Sequence, residues 1–121
     1  MAGRITDRKS CNHFRGNLKA KYVIHTVGPI WRGGNHKEPE LLADAYRNSL
    51  KLAVLRKLKT VAFPSISTGA YGYPVEEASK IAVTTVKNFL EKEDNLDAVI
   101  FVLFSRHDFE IYKDLMRALA E

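Results

Sequence analysis

The chain has 121 residues, 45% hydrophobic and 27% charged, a balance that fits one globular domain and excludes both intrinsic disorder and a pair of ordinary domains. Nineteen Lys and Arg against fourteen Asp and Glu leave a net charge of +5, which favours anionic partners in general but is too mild to single out nucleic acid. No apolar run approaches the roughly 20 residues of a membrane span, Met1 to Arg15 lacks the apolar stretch of a secretory signal, and the single Cys11 excludes an internal disulfide and a multi-cysteine zinc site, so a reducing cytoplasm is the expected compartment.

Residues 1–19 carry Arg4, Arg8, Lys9, Arg15 and Lys19 with no clear period. They read as a basic arm, an irregular loop, or an edge strand around Arg4-Ile5-Thr6. From residue 20 to 121 the pattern is that of a domain. Lys21 to Val27 is a β-branched run stopped by Gly28-Pro29 and reads as a buried strand. Trp31 to Pro39 reads as a loop. Glu40 to Leu58 places Leu41, Leu42, Ala45, Tyr46, Ser49, Leu50, Ala53 and Val54 at helical spacing. Thr60 to Ser65 is a second strand and Ser65 to Tyr73 a glycine-containing turn. Pro74 to Leu90 is a second helix, with Pro74 suited to a first helical position and Glu76 and Glu77 to the positive end of its dipole. Asp97 to Phe104 is a third, almost wholly apolar strand, and Phe109 to Ala120 a third helix.

Apolar strands alternating with amphipathic helices predict an α/β fold with a largely parallel sheet covered by helices. Ligands in such sheets bind beyond the carboxyl ends of the strands. The places to search are therefore Thr26 to Gly34, Ser65 to Tyr73 and Phe104 to Asp108, which the topology should bring together.

Among these, Ser65-Ile66-Ser67-Thr68-Gly69-Ala70-Tyr71-Gly72-Tyr73-Pro74 carries the most chemistry. Gly69 and Gly72 permit a sharp turn and close approach of a ligand. Successive N–H groups can then form an anion-binding nest in front of a helix N-terminus, with Ser67 and Thr68 as hydroxyl donors. The competing reading is a strand-to-helix turn that needs glycine for backbone reasons alone. No Walker-type Gly-Lys-Ser/Thr is present.

His25, inside an apolar strand, reads as a hydrogen-bonded core histidine rather than a general base. His13, His25, His36 and His107 have no metal-ligand spacing, and Cys11 reads as a bystander. Phe104 either packs in the core or stacks on a purine. Trp31 either caps the core or walls the cleft. The basic Arg56-Lys57-Leu58-Lys59 complements the negative end of a helix dipole, and no interleaved aromatics support nucleic-acid binding.

Three stretches carry a family resemblance. Ala20-Lys21-Tyr22-Val23-Ile24-His25-Thr26-Val27-Gly28-Pro29 with Trp31-Arg32-Gly33-Gly34 resembles the middle of a bacterial macro domain. Pro64 to Pro74 resembles that family's second phosphate-binding loop, and Phe104-Ser105-Arg106-His107-Asp108 its closing segment. The resemblance implies a three-layer α/β/α sandwich with a mainly parallel central sheet. It implies binding of ADP-ribose or a related nucleotide diphosphate, with Ser67, Thr68, Gly69, Ala70, Tyr71 and Gly72 around the diphosphate. Tyr71 would lie beside the diphosphate and distal ribose, and Phe104 at the adenosine end. Many relatives hydrolyse O-acetyl-ADP-ribose or remove ADP-ribose from proteins, without metal or cofactor, by placing a water against the scissile bond.

Ahead of the stretch that Gly3-Arg4-Ile5-Thr6 resembles, a complete member has further strands, an acidic residue for the adenine amino group, an Asn-containing turn and a glycine-rich catalytic loop. This sequence does not contain them, and Asp7 to Lys19 matches only loosely. The chain therefore looks like an N-terminally truncated macro domain, with its catalytic residues unassigned. Removing strands bares an edge and helix faces, which predicts a homo-oligomer. The alternative is a catalytically inactive, self-associating remnant without a physiological ligand.

Overall fold

The computed structural model describes residues 4–7 and 22–120. Strand β1 (Arg4–Asp7) pairs antiparallel with β2 (Tyr22–His25), Arg4 opposite His25 and Asp7 opposite Tyr22. Helix α1 (Glu38–Leu55) leads to β3 (Thr60–Phe63), helix α2 (Val75–Lys92) to β4 (Ala98–Phe101), and helix α3 (Arg106–Ala120) follows. β3 and β4 are parallel, with Phe63 beside Phe101. Among the described residues these make two separate two-stranded sheets. The α/β order is the one expected. The parallel pairing holds for β3–β4, whereas the β1–β2 pair is antiparallel. Of the three readings of the first residues, the edge strand holds for Arg4–Asp7; the rest of the arm, with Cys11 and His13, lies outside the described residues.

β2, β3 and β4 are each shorter than the apolar run that predicts them. β2 ends at His25, opposite Arg4, the first residue of β1. β3 stops at Pro64, which has no N–H to donate. β4 stops one residue before the last bond to that partner, Val102 N–H to Phe63 C=O at 2.7 Å.

The helices begin and end for local reasons. α1 starts two residues earlier than its apolar stripe predicts, with Pro39 in its first turn and Glu38 and Glu40 at its positive end. It ends at Leu55 rather than Leu58. There Lys57 turns left-handed (φ 63° is Lys37 at the other end; Lys57 has φ 60°). Leu58 N–H then bonds Ala53 C=O and Lys57 N–H bonds Val54 C=O, both at 2.9 Å, which is a Schellman stop with lysine in the place usually held by glycine. α3 starts at Arg106, not Phe109, because the Ser105 hydroxyl accepts the Asp108 N–H at 3.1 Å and caps the first turn.

One buried cluster joins Leu42, Tyr46, Leu50 and Ala53 of α1, Val61 and Phe63 of β3, Ala78, Ala82, Val83 and Val86 of α2, and Tyr112 of α3. Tyr46, Phe63, Phe101 and Tyr112 form its aromatic centre, with ring centroids 5.0–6.2 Å apart. Val61 and Phe63 face these helices, while Thr60 and Ala62 on β3 and Ala98 and Ile100 on β4 point the other way and are exposed. The third layer of the expected sandwich, over that opposite face, is not among the described residues.

Candidate functional site

Because β3 and β4 are parallel, their exits lie at one end, and Pro64 to Pro74 crosses that end between β3 and α2. Two buried tyrosines hold its root. The Tyr46 hydroxyl accepts the Ile66 N–H at 3.1 Å, and the Tyr112 hydroxyl is 3.0 Å from Ser65 Oγ. Burial raises both phenols above their ordinary range, Tyr46 far above it, with the neighbouring Tyr112 adding to that rise against the Ile66 amide, so both remain neutral hydrogen-bonding anchors.

The loop then closes on itself. Tyr73 N–H reaches Ser67 C=O at 2.9 Å and Gly72 N–H reaches Gly69 C=O at 3.0 Å. Gly72 has φ 75° and justifies its glycine by conformation. Gly69 does not: its φ is ordinary and the place of a Cβ is open space. The other left-handed residue is Ser67, at φ 70°, a strained conformation for a residue with a side chain. What remains unspent is the run of amides from Ser67 to Tyr71, none of which donates to an acceptor among the described residues. Gly69, Ala70, Tyr71 and Gly72 are exposed. Open space at Gly69 beside a run of unspent N–H groups is the arrangement that an oxygen-anion cradle requires.

The hydroxyls do not join it as expected. Thr68 Oγ1 donates to Ser65 C=O at 3.1 Å. Ser67 Oγ is buried without a hydrogen-bond partner and packs where a Cβ on Gly28 would overlap it; that Cβ would also come within 2.5 Å of Ile66 Cγ2. Gly28 is thus required by close approach of the two exit loops. Phe104 is 90% exposed, which removes the core reading and leaves its ring on the surface at the same end of the sheet. Of the two readings of Trp31 the core one holds, its ring centroid lying 4.7 Å from that of Tyr73 against the core; its backbone N–H donates to Tyr71 C=O at 2.9 Å. His25 is half-buried at the end of β2 and engaged there.

Glu38 is the residue that sequence reasoning missed. It is 1% exposed, and its carboxylate accepts the amides of Arg32 and Gly34 at 2.9 Å and of His36 at 2.5 Å. Burial by itself would raise its pKa, but these backbone donors and its own hold it down at about 2. The signal was a carboxylate directly before Pro39 and after Gly33-Gly34. The anchors Tyr46 and Tyr112 were legible only as apolar stripe, although a buried tyrosine always raises the question of where its hydroxyl goes.

Comparison with known proteins gives the family and the fold. A family model described as the macro domain matches residues 10–82. A macro domain-containing protein of Chlorobaculum tepidum is 57% identical over 101 residues, 84% of this chain and 59% of that protein. An O-acetyl-ADP-ribose deacetylase of Klebsiella pneumoniae is 52% identical over 101 residues, 84% of this chain and 58% of that one. Among solved structures, the Oceanobacillus iheyensis macrodomain with ADP superposes with a TM-score of 0.87 at 42% identity, over 98% of this chain and 58% of that chain. A Trypanosoma brucei macrodomain in complex with ADP-ribose gives 0.73 at 36% identity, over 80% and 40%. The chain thus spans less than two thirds of the length of these relatives.

Proposed function

This chain belongs to the macro domain family, and from that premise we propose that it binds ADP-ribose, or a related nucleotide diphosphate, through the main-chain amides of Ser67 to Tyr71. The observation that carries the reading is the run of unspent amides at a point where Gly69 leaves space for a ligand. Amide-to-phosphate bonds are charge-assisted and worth on the order of 1.5–3 kcal/mol each, so losing two or three of them would move a micromolar binder to millimolar or weaker. Relatives complexed with ADP and with ADP-ribose support the ligand class. Phe104 supplies an exposed aromatic for the adenosine end and Tyr71 a half-exposed ring beside the diphosphate.

The test is titration calorimetry with ADP-ribose up to millimolar concentration, on the wild type and on Gly69→Glu. A glutamate there fits the open space without disturbing the fold and sets a carboxylate among the donors. Wild-type binding that the variant loses by roughly a hundredfold or more supports the site; no heat with the wild type refutes it. Hydrolysis of O-acetyl-ADP-ribose, the activity by which the Klebsiella relative is named, belongs to the same site if the wild type turns that ester over and Gly69→Glu does not.

One observation favours the second reading, self-association. The outward face of β3–β4 bears Ile100 (50% exposed) and Val102 (44%), leading to Phe104, and neither outer edge of that pair is bonded to another described strand. An apolar face with open strand edges is a template for a second copy.

A further inference from the structure

We propose that Glu38 is a positioning residue for the amide cradle, acting through the loop from Trp31 to Lys37 on the Tyr71–Gly72 peptide. The proposal rests on the binding site assigned above and adds what holds it in shape. Gly33 and Gly34 both have φ 93°, which glycine adopts readily, and Lys37 has φ 63°, which a residue with a side chain does not favour. A single buried carboxylate gathers three of its amides, those of Arg32, Gly34 and His36. Nothing else among the described residues bonds those three N–H groups; the loop's remaining bond within itself is His36 Nδ1 with Arg32 C=O at 3.1 Å.

The gathered loop then grips the cradle at two points. The Trp31 N–H holds Tyr71 C=O, and the Trp31 ring lies against Tyr73. The carbonyl of Tyr71 and the N–H of Gly72 belong to one rigid peptide plane. That plane is pinned at both ends, by Trp31 N–H on the carbonyl and by Gly69 C=O on the amide. It closes the run of free donors and fixes that end of it. Glu38 touches none of them; it works by holding the loop that holds the plane.

Glu38→Gln tests this. A carboxamide keeps the shape but offers one acceptor oxygen and one NH2, so at least one of the three amides must face a donor. Trp31 is the only tryptophan, and its fluorescence reports on this contact specifically. In the variant the emission is expected to shift to longer wavelength. Exchange at Gly72 and Tyr73 amides should rise, and ADP-ribose affinity should fall about tenfold, with Glu40→Gln as a first-turn control that changes none of these. A folded Glu38→Gln with unchanged Trp31 emission and unchanged exchange overturns the proposal. If Glu38→Gln fails to fold, Gly34→Ala attacks the same loop from the other side, since its Cβ would meet Trp31 Cη2 at 3.0 Å, and must give the same emission and exchange changes. If the wild type binds no ADP-ribose, the functional reading fails alone, and emission and exchange still decide the role of Glu38.

Discussion

Glu38 and Tyr46 spend their polar atoms on backbone amides that the chain cannot otherwise satisfy. For Glu38 the folded value of about 2 lies below the ordinary carboxyl value of 4.5, so its ionised form is favoured by folding. Its contribution to stability is full above the ordinary value and is lost as the pH falls from there through about 2. Thermal unfolding followed from pH 7 to pH 2 should show a wild-type advantage over Glu38→Gln that shrinks across that window. Tyr46→Phe preserves the aromatic packing but leaves the Ile66 amide without its acceptor. It should cost about 1–3 kcal/mol in denaturant unfolding, the penalty of an unsatisfied buried donor.

At the level of the elements, local backbone chemistry decides where each helix starts and stops. α1 ends in a Schellman turn whose left-handed residue is Lys57. A side chain there costs roughly 1 kcal/mol that glycine avoids. Lys57→Gly should raise stability by about that amount, read as a midpoint a few degrees higher, without altering ligand affinity, because the turn precedes β3 at the end opposite the cradle. The capping by Ser105 similarly starts α3 early and ends the exposed stretch that contains Phe104. Sequence reading placed that start three residues late because it followed the apolar stripe. The Ser105-Arg106-His107-Asp108 cap was the better signal.

For the whole molecule, the asymmetry of the β3–β4 pair is the dominant feature. One face is filled by three helices around Tyr46, Phe63, Phe101 and Tyr112; the other presents Ile100 and Val102 to solvent. The expectation is that the wild type scatters light as more than a monomer, and that Ile100→Lys moves it toward monomer by setting a charge on the apolar face while leaving far-ultraviolet circular dichroism unchanged. A wild type that is monomeric at working concentration removes the self-association reading and leaves the nucleotide reading intact.

The order of strands and helices, the glycine turn between β3 and α2, and the family were all legible in the sequence, because hydrophobic period, Gly and Pro act locally. Only the tertiary structure decided that Thr68 Oγ1 is spent on Ser65, that Ser67 turns left-handed with its hydroxyl buried, and that Phe104 stands on the surface. It alone joined Glu38 to the loop at Trp31 and Tyr46 to Ile66. Periodicity reports which face of a helix is apolar, but a hydrogen bond across 20 residues of chain depends on where two elements meet, and no local pattern encodes that distance.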